Sequence, residues 1–211
     1  MPSSHLRFIL LATLFLTLAP GITPAQEGVK FHFETGTPPW AGERIELPPG
    51  FARDLGWNGV EEIRFAPGMF RSAEGDFFSY ILVFVLEPGS DVSEKGLEKE
   101  LLTYYRGLSK AVMGGAGETV ETKDFSFSIK KAADENAGAP TSAAEAIARN
   151  ATLDWVEPFA TKKRQTLYLE IHTWQNGDQP VVLSCVSPVE PKDGAEPWKA
   201  LRAIRKSFRL E

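Results

Sequence analysis

The sequence predicts an α+β domain built on a single mostly antiparallel sheet of six to eight strands with two main helices. Three observations lead there. Several short runs alternate apolar and polar residues with the period of a strand, residues 77–86 are apolar without alternating, and two segments repeat apolar residues at helical spacing. A strand apolar on both sides needs a cover on each. The simplest arrangement therefore puts one helix on either face, as a three-layer α/β/α sandwich. The alternative sets both helices on one face and curves the sheet around a ligand cavity.

The chain opens with an export segment. Arg7 precedes an apolar run over residues 8–19, shorter than the ~20 residues that a membrane-spanning helix needs. Pro20-Gly21 breaks it, and Thr23 and Ala25 place small residues before Gln26, so cleavage is expected after Ala25. The expected location is secreted or periplasmic. The remaining residues, 26–211, suit one domain large enough for a core without covalent staples. Disulfides within the chain are excluded, because Cys185 is the single cysteine, and its apolar surroundings mark it as a small buried hydrophobe. Leaving out Arg7 gives 22 basic against 28 acidic residues, a net charge of −6 that argues against nucleic acid as a partner.

Along the domain, residues 29–34 alternate as a strand, a second strand fits residues 43–47 before Pro48-Pro49-Gly50, and residues 60–66 and 77–86 suit a hairpin with a long connection. The main helix spans residues 91–113, with Leu97, Leu101, Tyr104 or Tyr105, Leu108 and Val112 on one side. Asp91 and Glu94 are placed to cap its start, and Gly114-Gly115 to end it. Strands follow at 119–130, 153–159 and 166–175, and Asn176-Gly177 turns the last into 181–187. The alanine-rich segment 132–152 reads as a loop around Gly138-Ala139-Pro140 and then a short helix started by Thr141 or Ser142. A closing helix begins near Pro197 and aligns Trp198, Leu201, Ile204 and Phe208. This order of elements, with its final Trp-x-x-Leu-x-x-Ile-x-x-x-Phe helix, resembles antiparallel three-layer folds of the PsbP type in element order, and carries no functional residue across.

Motifs for chemistry are sparse. Residues 26–211 contain two histidines, His32 and His172, each two positions from a glutamate on one strand side. If those strands were neighbours, His32, Glu34, Glu170 and His172 would offer a divalent metal two imidazoles and two carboxylates, the basis of a metal-dependent enzyme reading. The competing reading is a pair of solvated strand faces. A serine nucleophile has no Gly-x-Ser-x-Gly elbow, and no phosphate-cradling loop exists, since Gly114-Gly115-Ala116-Gly117 stops a helix. No cofactor is nominated. Asn150-Ala151-Thr152 is a glycosylation sequon, meaningful in a eukaryotic host.

The aromatic residues carry the preferred reading. Trp40 and Trp57 lie in loop-like stretches, and with Met69 and Phe70 they would line one end of the sheet as an apolar binding patch, or plug that end. Lys199, Arg202, Arg205, Lys206 and Arg209 give the last helix a basic face, read as solvated. The expectation is thus a non-catalytic exported protein that binds a small molecule or an envelope protein. No transmembrane anchor remains after cleavage. A metal enzyme and a structural or assembly protein are the alternatives.

Overall fold

The computed structural model describes residues 29–133, 138–143, 145–192 and 194–211. Residues 1–25, expected to direct export, lie outside them, as do Asp134 and Glu135. Seven strands form one antiparallel sheet in the order β2-β3-β4-β8-β7-β6-β5: β2 (Ala41–Leu47), β3 (Gly59–Phe65), β4 (Tyr80–Leu86), β5 (Ser126–Lys131), β6 (Ile147–Val156), β7 (Arg164–Asn176) and β8 (Gln179–Ser187). Helix α1 (Glu94–Gly115) follows β4, and α2 (Trp198–Ser207) follows β8. The fold is α+β, with two helices and two sheets among the described residues, the second sheet a two-stranded ribbon of β1 (Phe31–His32) and β9 (Arg209–Leu210).

Of residues 77–86, Tyr80–Leu86 supply an interior strand, while Phe77 and Phe78 belong to the turn before it. In β4 the side chains alternate between two buried clusters: Tyr80, Leu82, Phe84 and Leu86 join Leu97, Leu101, Tyr104 and Tyr105 of α1, whereas Ile81, Val83 and Val85 join Trp198, Leu201 and Ile204 of α2 and Phe208. Full burial of this strand on both sides removes several large aliphatic and aromatic side chains from water, each contributing about 1.5–3 kcal/mol. The Asn176-Gly177 turn forms as expected, with Gly177 at a φ of 66° that a side-chain-bearing residue adopts poorly.

Four expectations are corrected. Residues 29–34 contribute only Phe31–His32 as strand, and they pair with the carboxyl-terminal residues in a separate ribbon, because Phe31 and Phe33 turn inward onto Phe208. The expected strand 119–130 begins at Ser126, since the Arg106 guanidinium takes the carbonyls of Thr122, Lys123 and Phe125. The segment expected as a short helix contains no helix among its described residues. Thr141 and Ser142 instead cap the end of α2 at the carbonyls of Lys206 and Phe208, and β6 starts at Ile147 with Ala148 and Ala151 buried. Pairing along β7 outweighs the helix propensity of alanine. Finally, the side-chain cap of α1 is Ser93, whose hydroxyl accepts from the Gly96 N–H at 3.2 Å, while Asp91 accepts from the Ser93 N–H.

Candidate functional site

The structure divides the four residues nominated for metal binding. His32 lies on the β1–β9 ribbon opposite Arg209, its Nε2 3.1 Å from the Glu211 carboxylate, and Glu34 faces Arg209. Glu170 and His172 lie on β7, which pairs with β6 and β8. Among the described residues no group of three or more His, Cys, Asp or Glu side chains is placed to hold a metal ion. Glu170 serves another purpose: Arg202 donates to it from Nη2 at 2.6 Å and from Nε at 3.1 Å, and Arg205 from Nη1 at 2.6 Å. The expected solvated basic face of the last helix is thereby corrected, since two of its arginines turn toward the sheet to meet a carboxylate.

Of the four residues nominated for ligand binding, two are core. Trp57 is 2 % exposed, packs on Phe84 at 5.3 Å and donates its indole N–H to the Asp91 carbonyl, and Met69 is 4 % exposed. Trp40 is half-buried and belongs to the α2-side cluster, not to that of Trp57. A loop position gave no indication that Trp57 closes the core beneath α1. Phe70 is different. It is 43 % exposed, and its ring lies 6.1 Å from Phe65 and 5.6 Å from Phe159.

Local structure fixes this trio. Phe65 ends β3, and Phe70 sits on the loop joining β3 to β4. In that loop the Gly68 N–H donates to the Asp76 carboxylate at 2.9 Å and the Phe78 N–H to the Met69 carbonyl. A Cβ on Gly68 would fall 1.8 Å from the Asp76 Oδ1, so a larger residue would displace the carboxylate that accepts from the Gly68 N–H. Phe78 holds a φ of 49°, a strained conformation for a bulky residue that its packing on Trp155, Tyr80 and Phe159 sustains. Phe159 sits on the β6–β7 connection, which the buried Glu157 carboxylate gathers by accepting from the N–H groups of Phe159, Ala160 and Thr161 and from the Thr161 hydroxyl. Neither Phe65 nor Phe159 was singled out from sequence. The one available signal was an aromatic in a proline-containing turn, Pro158-Phe159.

The ionisable groups inside the domain are poor catalysts. Cys185 is fully buried with its Sγ 3.5 Å from the Leu201 carbonyl, and burial pushes its thiol up to about 12, so it remains protonated. Glu61 lies beneath α1 without solvent exposure. Burial, opposed by the Tyr104 hydroxyl that donates to it at 2.8 Å and assisted by the charges of Glu43 and Glu62, lifts its carboxyl to about 8. Beside it the Tyr80 and Tyr105 hydroxyls bond at 2.5 Å, and both phenols are pushed above their ordinary range, chiefly by burial. On the outer sheet surface, an open groove of about 320 Å³ contains Asp154, which accepts from Thr166 at 2.5 Å. None of these groups combines access to substrate with a nucleophile and a base.

No family model matches the chain, and no curated protein or solved structure is significantly similar to it. Among the described residues no helix is long and apolar enough to cross a membrane.

Proposed function

We propose that this is a non-catalytic exported protein that binds a partner protein outside the cytoplasm, with Phe70 as the anchor of the contact. The observation that carries the reading is the exposed Phe70 ring, held between Phe65 and Phe159 on two loops that are fixed internally. Rigid aromatic anchors lose little entropy on association and dominate many protein interfaces. Small-molecule sites are concave, and Phe70 lies in neither of the two open grooves described for this domain. An apolar side chain of a partner is the better fit.

A photo-crosslinking phenylalanine analogue at position 70, in the full chain made in an exporting host, tests this directly. Position 147 is the control, since Ile147 is also an exposed apolar residue. A discrete heavier adduct from position 70 and none from 147 is expected. Equal labelling at both positions, or none at 70, would remove Phe70 as an anchor. An adduct of twice the protein's own mass would replace the reading with self-assembly. The intact mass of the recovered protein tests export: cleavage after Ala25 leaves Gln26 as the first residue.

A further inference from the structure

A second surface carries a different chemistry. The loop after β2 folds back on α1: the Ala52 N–H donates to the Pro49 carbonyl, the Leu55 N–H to the Ala52 carbonyl, and the Phe51 ring meets Tyr104 edge-on at 5.0 Å. Helix and loop touch at Gly107, where a Cβ would fall 2.3 Å from the Phe51 carbonyl oxygen. Beside that contact lies an open groove of about 540 Å³ between the loop and the helix. That size is within the range of small-molecule sites.

Its charge runs against that of the chain. Arg53, Arg106 and Lys110 line it, against the single carboxylate of Asp54, whereas the whole sequence is acidic. Arg106 is fixed in place by donating from Nε and Nη2 to three backbone carbonyls, so its positive charge is preorganised. Arg53 and Lys110 make no ion pair among the described residues, and neither does Asp54, so none of the three is neutralised by a neighbour. The Asp54 carboxylate and the negative end of the α1 dipole, about half a charge, oppose an anion here, but three cations outweigh them. Phe51 and Ala111 add apolar surface to the same groove.

We propose that this groove binds a small organic anion, its phosphate or carboxylate group between Arg53, Arg106 and Lys110 and its apolar body against Phe51. The inference stands apart from the role of Phe70 and survives the failure of that reading. The processed protein, labelled for amide NMR, is titrated at constant ionic strength with phenyl phosphate, with benzoate and with uncharged benzyl alcohol. Saturable shifts centred on the amides of Phe51 and Gly107 are expected with at least one of the two anions and not with the alcohol. Response to phenyl phosphate alone would specify a phosphate ligand, and response to both the shared anionic chemistry. The double variant R53Q/K110Q should weaken binding about fivefold while keeping the wild-type spectrum elsewhere, the sum of two exposed charge contacts. Absence of saturation with both anions, equal response to the alcohol, or unchanged affinity in the double variant would overturn the proposal.

Discussion

One buried and one half-buried glutamate lie on opposite sides of the same sheet, and the protein treats them in opposite ways. Glu61 on β3 faces α1, whose contribution is the tyrosine hydroxyl of Tyr104; Glu170 on β7 faces α2, which brings Arg202 and Arg205. Burial raises the Glu61 carboxyl to about 8, so at neutral pH it is a protonated acid. Burial also works against the charge of Glu170, but the Arg202 hydrogen bonds and the nearby Arg205 charge outweigh it and hold that carboxyl below its usual range. The fate of a buried carboxyl is therefore decided by the helix laid over it, not by the strand that carries it.

Breaking the ionised pair should have the largest effect. Glu170→Ala leaves the guanidinium of Arg205, which is 4 % exposed, without its carboxylate, and is expected to cost about 3–5 kcal/mol in urea unfolding. A triple variant with Glu170→Leu, Arg202→Met and Arg205→Met should recover most of that loss, because apolar replacement removes the stranded charge along with its partner. If Glu170→Ala is silent, the ion pair is not the organising contact between α2 and the sheet.

The protonated partner behaves in reverse. A carboxyl whose pKa is raised on folding contributes stability that is fully present below the unfolded value of 4.5 and is lost as pH rises through about 8. Between pH 4 and pH 7 the loss from Glu61 amounts to about 3 kcal/mol. Glu61→Gln abolishes that slope, so unfolding free energies from urea titration should converge with wild type near pH 4 and exceed it by up to about 3 kcal/mol at pH 7. Glu170 has the opposite sign: its stabilisation is present above the unfolded value and falls away in acid. Wild-type stability thus declines toward both ends, and each substitution flattens one side. An unchanged slope between pH 4.5 and about pH 8 in Glu61→Gln would show that Glu61 is ionised in the folded protein.

Elements whose information is local were legible in the sequence. The all-apolar strand, the Asn176-Gly177 hairpin and the Trp198, Leu201, Ile204 spacing each specify their own geometry. The sites were not, because they depend on register and on which elements meet. Nothing within Leu169-Glu170-Ile171-His172 reveals that Arg202 and Arg205 will descend on Glu170, and its alternation reads equally as a metal-ligand face. Trp57, between glycine and asparagine, read either as part of a binding patch or as a plug of the sheet's end, and its burial in the α1-side core decides for the plug. The alanines at 146, 148 and 151 favour a helix locally and are consumed by a buried strand edge and strand. Phe70 was found as a loop aromatic, but Phe65 and Phe159, which hold it, become neighbours only once β3 and the β6–β7 turn end at the same side of the domain.

The smallest effect gives the sharpest test of the contrast between the two glutamates. Tyr104→Phe keeps the ring that packs on Phe51, Phe84 and Tyr105 and deletes only the hydroxyl that donates to Glu61. The expected cost is about 1 kcal/mol, that of a single buried hydrogen bond. Its direction on the titration is the informative part. The hydroxyl favours the ionised carboxylate, so removing it should move the Glu61 carboxyl above its wild-type value and carry the upper end of its stability loss to higher pH. A shift to lower pH would mean that the tyrosine oxygen mainly accepts a proton from the neutral acid. Either direction should leave the acid side of the profile in place, because that side belongs to Glu170 and the arginines of α2.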